Sequence, residues 1–200
     1  MSSVSETIVR EYFELHEFLV RQHRKYIAQT RREDDDIDFF VLNPHPLPRA
    51  GELPFVLASP DLQFIERAIV VVKGWHTETF SSAVLAHAPE IFRFVEPKVF
   101  QQAARAFGKD GAPLKILVVP ALPQAQAGRD QSIALLRSKG VDAVIPFRTM
   151  LADLVGSIEV NRNYQKSDLL QMIRILKNYD FLREPQLELF KSKRRRQQTK

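Results

Sequence analysis

Two charges sit where burial makes charge expensive. Asp38 lies inside the apolar run Ile37-Asp38-Phe39-Phe40-Val41-Leu42, and Lys73 closes a second run, Ala68-Ile69-Val70-Val71-Val72, just ahead of Gly74. Segments this apolar are buried strands, and an ionised side chain among them costs several kcal/mol unless it is paired, hydrogen-bonded or bound to a metal. Asp38 and Lys73 therefore form either a structural ion pair across neighbouring strands or part of a site that handles a metal ion or an anion.

Further side chains of similar chemistry lie near them in sequence. Arg21, Arg24, Lys25, Arg31 and Arg32 crowd the segment before Asp34-Asp35-Asp36. Beside the Asp38 strand they suit a track of phosphate contacts, so these five are candidate nucleic-acid-binding residues. His76, in Gly74-Trp75-His76-Thr77-Glu78, is a candidate phosphate contact or proton carrier, or an ordinary loop histidine. Trp75 reads as a lid on the core or a stacking platform for a base. Other chemistries lack their motifs. The seven glycines form no phosphate-cradling loop, no Gly-x-Ser-x-Gly elbow occurs, and the histidines at 16, 23, 45, 76 and 87 have no zinc spacing.

The elements that position these residues follow from periodicity and punctuation. Val4 to about Glu17 predicts an opening helix with Val4, Ile8, Tyr12 and Leu15 on one face. A strand begins at Phe18, charge changes sign across a hairpin, and a second strand spans Ile37 to Leu42 before three prolines stop it. After a helical turn near Asp61 to Glu66, the third strand covers Ala68 to Lys73. Helices near Ser81–His87 and Glu96–Phe107 precede a strand at Leu114–Val119; a helix at Arg129–Lys139 leads to a strand at Val141–Ile145. Helices at Thr149–Ile158 and Ser167–Tyr179 follow. This alternation predicts an α/β fold with a central mixed sheet of about five strands, flanked by helices and followed by C-terminal helices.

Composition bounds the setting. Two hundred residues, 44% of them hydrophobic, suit one globular domain. The expected division is an α/β domain over 1–158, a helical extension over 159–190 and a disordered basic tail over 191–200. The absence of cysteine excludes disulfides and thiolate metal sites and suits a cytoplasmic protein. No apolar run approaches the roughly 20 residues that cross a bilayer, and the N-terminus lacks a targeting pattern, so no membrane partner is expected. The net charge of +5 belongs to the tail: without Lys191 to Lys200 the chain holds 23 basic and 24 acidic residues. Such a tail is a solvated end or a nonspecific phosphate-contacting arm.

In order, the chain has a helix with a glutamate, a strand, a basic turn, a strand carrying Asp38 and a strand ending in Lys73. The stretches Ser5-Glu6-Thr7-Ile8-Val9-Arg10-Glu11-Tyr12-Phe13, Asp35-Asp36-Ile37-Asp38-Phe39 and Val70-Val71-Val72-Lys73 resemble the PD-(D/E)XK nuclease superfamily, in particular its small resolvase-like members. The resemblance covers roughly residues 5 to 80 and implies a restriction-endonuclease-like fold. It also implies metal-dependent phosphodiester cleavage of nucleic acid, DNA above all, with Mg²⁺ or Mn²⁺ as cofactor and a homodimer as a common assembly. Asp38 then matches the metal-binding aspartate, Lys73 the motif lysine and Glu6 the helix glutamate. The chain departs from the pattern at Val71, where the motif has an acid. Glu78, Asp36 and Glu66 are the carboxylates available to replace it as metal ligands. Without a replacement, the resemblance implies a nuclease-like module that binds DNA or a protein partner and does not cut.

Overall fold

The amphipathic pattern at the N-terminus becomes helix α1 (Ser3–Leu15) in a computed structural model that describes residues 3–22, 37–108 and 112–182. α1 ends in a Schellman turn. Glu17 N–H donates to the Glu14 carbonyl and Phe18 N–H to the Phe13 carbonyl, both at 3.0 Å, with Glu17 left-handed at φ 63°. The hydrophobic contact that accompanies such a turn is Phe18 edge-on to Phe13, centroids 5.3 Å apart.

Three strands follow: β1 (Leu19–Gln22), β2 (Phe39–Leu42) and β3 (Arg67–Val72), with a 3-10 segment at Ser59–Phe64 before the last. Helices α2 (Ser82–His87) and α3 (Pro97–Ala104) lead to β4 (Leu114–Val119); α4 (Gln126–Ser138) leads to β5 (Ala143–Pro146) and α5 (Phe147–Ser157). The five strands form one sheet in sequence order. β1, β2 and β3 are antiparallel neighbours, whereas β3, β4 and β5 run parallel and so need the helical crossovers.

Each face of the sheet has its own cover. α1 packs on α5, β1 and β3 and buries Ile8, Val9, Tyr12 and Phe13. Another apolar cluster joins Ile37, Phe40, Ile69, Val71 and Leu117 to Phe80, Leu85, Ile91, Val99 and Leu136. Period-two alternation along β3 sends Ile69 and Val71 into this second cluster.

The chain divides into compact units at residues 1–157 and 158–200. In the second, Ser167 caps α6 (Asp168–Asn178) by accepting the Leu170 N–H, and Arg174 and Lys177 donate to the Val160 and Ile158 carbonyls.

Three elements depart from the sequence pattern. The segment at 96–107 is α-helical only to Ala104 and tightens to a 3-10 turn at Arg105–Phe107 before Gly108 (φ 84°). A further 3-10 segment occupies Pro89–Val95, where apolar spacing gave no helical signal. α4 begins at Gln126, earlier than Arg129, because the polar first turn carries no hydrophobic periodicity.

Candidate functional site

Asp38 stands at a fault in the β2–β3 ladder. Phe39 pairs opposite Val70, yet the Asp38 N–H also donates to the Val70 carbonyl, at 3.1 Å. Two residues thus oppose one, the arrangement of a β-bulge. The bulge shifts the side-chain phase, so Ile37, and not Asp38, joins Phe40 and Val71 in the apolar cluster. The Asp38 carboxylate instead accepts the Val72 N–H at 2.6 Å. Burial pushes this carboxyl up to about 7; the Val72 hydrogen bond and the charge of Lys73 oppose the shift, and Glu6 adds to it.

Lys73 follows β3 directly and extends the ladder by one bond, donating its N–H to the Val118 carbonyl at 3.0 Å. Among the described residues no direct ion pair joins it to Asp38, so the ion-pair alternative gives way to a backbone-bound carboxylate with a cation nearby.

Close approach of α1 brings the third residue in. Gly74 lies against the helix start: a Cβ there would meet the Ser5 Oγ at 2.5 Å. Ser5 is buried, its Oγ 3.0 Å from His76 Nε2, and the His76 ring stands edge-on to Phe147 at 4.6 Å. Glu6, the next residue, accepts a 2.6 Å hydrogen bond from the Gln22 amide. Glu6, Thr7, Arg10 and Gln22 line a cavity of about 110 Å³. Arg10 reaches Glu11 through Nη2 at 3.4 Å, while its buried Nε has no hydrogen-bond partner among the described residues.

Glu6 and Lys73 thus lie near enough to Asp38, at one end of the sheet, to act on its carboxyl electrostatically. Val71 does not join them: it is buried in the apolar cluster on the face that the bulge turns Asp38 away from. Glu66 precedes β3 and so lies about 20 Å of strand away from Lys73. Glu78 is exposed beyond the strand end, its N–H bonded to the Trp75 carbonyl at 2.8 Å. Arg21 is exposed on β1 opposite Phe40, and Trp75 packs on Phe80 as a core lid. Asp36, Arg24, Lys25, Arg31 and Arg32 lie outside the described residues.

Among the described residues the donor set is short of a protein-held site for Mg²⁺ or Mn²⁺. Asp38 and Glu6 each have an oxygen engaged by a hydrogen bond, and no group of three or more His, Asp or Glu suited to a metal forms among the described residues. What the arrangement offers is a carboxyl that titrates near neutrality beside a part-buried ammonium. Sequence reasoning missed Ser5, Arg10 and Gln22. Arg10 was findable, because Glu6 and Arg10 are i and i+4 on one helix; Ser5 and Gln22 carry no such signal.

Comparison with protein-family models, with curated proteins and with solved structures finds no match to this chain. No described helix is long and apolar enough to cross a membrane.

Proposed function

We propose that this chain is a nuclease-like nucleic-acid-binding domain that does not cut, with DNA the favoured ligand. Its supports are a helix carrying Glu6 followed by a strand, a strand entered at Asp38 and a strand closed by Lys73, the order on which the resemblance to PD-(D/E)XK nucleases rests, and the cationic Lys73, Arg21 and basic tail. The observation that carries the loss of cleavage is Val71. The position where the motif needs an acid faces packed hydrocarbon, so the fold excludes a carboxylate there.

The test is fluorescence anisotropy with labelled single-stranded, duplex and branched DNA in chelator, beside a cleavage assay in Mg²⁺ or Mn²⁺. Binding without metal that weakens as salt rises, weakens in Lys73→Ala and produces no cleavage is the expected result. Truncation after Phe190 measures the share owed to the tail. Failure to bind any of these DNAs refutes the proposal. Metal-dependent cutting lost in Lys73→Ala would replace it with an endonuclease, a reading favoured by the electrostatic grouping of Glu6, Asp38 and Lys73.

A further inference from the structure

A second polar site lies at the opposite end of the sheet and owes nothing to Asp38. The turn after α1, the residue after β2, the 3-10 segment at Ser59–Phe64 and α5 line an open cavity of about 540 Å³, a size that suits a small ligand. Along α1 alone, its His16 is about 15 Å from Glu6.

Its lining mixes hydrogen-bond donors with acceptors. Asn43 is only 8% exposed. Its Oδ1 accepts the His45 N–H at 2.9 Å, and because a backbone N–H can meet only the oxygen, the amide orientation is fixed. The Asn43 Nδ2, with two donors, has no partner among the described residues. This donor is open to the cavity, where an acceptor can meet it.

Acceptors line the same cavity. His16 Nε2 is held by Asp153 Oδ2 at 2.6 Å, and the ring is wedged edge-on to Tyr12, which leaves Nδ1 with a lone pair in the neutral imidazole. Gln63 spends its Nε2 on the Pro60 carbonyl at 2.9 Å, leaving Oε1. Glu17 adds a carboxylate to the lining from a left-handed backbone position that glycine would occupy without strain. The lining also carries the Ser59 hydroxyl, 3.0 Å from the Tyr12 hydroxyl, and the His45 ring, so a ligand for this cavity meets both acceptors and donors. Hydroxyl groups serve both without charge, whereas phosphate and carboxylate are anions that Glu17 and Asp153 repel.

We propose that this cavity binds a small uncharged polyhydroxylated molecule, the shared chemistry of a sugar and of the ribose of a nucleoside. The test is isothermal titration calorimetry of the full chain with methyl glucoside, adenosine and inorganic phosphate, repeated on Asn43→Leu and Gln63→Met. Saturable binding of either polyol, weakened about tenfold or more in both variants and with no heat from phosphate, is the expected result. Which polyol binds identifies the source. Gln63 is exposed, so Gln63→Met keeps the fold even if Asn43→Leu loses it, and an unchanged thermal melt verifies that. No polyol binding up to about 10 mM, phosphate binding as tight as either polyol, or affinity unchanged in folded Gln63→Met overturns the proposal.

Discussion

Asp38→Asn separates the charge of Asp38 from its hydrogen bond. The asparagine Oδ1 can accept the Val72 N–H that the carboxylate accepts now, at 2.6 Å, so the variant keeps the cap on β3 and removes only the ionisation. Burial raises the carboxyl from 3.8 to about 7. A displacement of that size, at 1.36 kcal/mol per pH unit, corresponds to about 4 kcal/mol as a ceiling. Partial exposure of Asp38 brings the expected effect to about 2–3 kcal/mol.

The sign follows from which state holds the proton more tightly. The native carboxyl keeps its proton to higher pH than the unfolded one, so its contribution is fully present below 3.8 and is lost as pH rises through about 7. Urea unfolding of wild type and Asp38→Asn from about pH 4 to about pH 9 reads this directly. The variant should match the wild type at the acid end and be more stable by about 2–3 kcal/mol at the alkaline end. A difference independent of pH would refute the reasoning. So would a wild type that gains stability relative to the variant as pH rises, the behaviour of a carboxylate whose pKa an ion pair with Lys73 had depressed.

Val71→Glu, the substitution that would restore the nuclease motif, should cost about 3–5 kcal/mol by placing a carboxyl in the cluster of Phe40, Phe80 and Leu85; chemical denaturation measures it, and cleavage gained at wild-type stability would show that position 71 reaches the Asp38 site. Gly74→Ala should destabilise by about 1–3 kcal/mol because its Cβ meets the Ser5 Oγ at 2.5 Å. Ser5→Ala should recover part of that loss in the double variant, and additive costs would place the strain elsewhere.

The sheet was legible because its strands are written in the strongest local signal available, unbroken apolar runs ended by Pro or Gly, as at Leu114–Val119 before Pro120. The closeness of Asp38 and Lys73 was legible from element order, since antiparallel β2 and β3 bring the start of one beside the end of the other, whereas Glu6 was grouped with them only through the resemblance. What could not be read was phase. Simple alternation from Phe40 puts Asp38 on the same face as Val71, and only the doubled pairing opposite Val70 reveals that Ile37 takes that place. A bulge depends on tertiary pairing and leaves no mark in composition. The cavity beside His16 was invisible for a related reason: its groups come from positions 16, 43, 63 and 153, which no motif spacing links.

An asparagine would serve the β3 cap without the cost of charge, so hydrogen bonding alone gives no physical reason for an acid at position 38. The reason lies in what the acid does to Lys73. Below about pH 7 the buried carboxyl is neutral and the ammonium keeps its full attraction for a phosphate; above it, Asp38 carries a negative charge that, with Glu6, offsets Lys73. With position 71 packed in the core, the end of β3 still offers a cation, and the neighbouring carboxyl makes the strength of that cation depend on protonation. On the proposed reading, phosphate recognition needs that much from the site, whereas hydrolysis would need an acid where the chain has Val71.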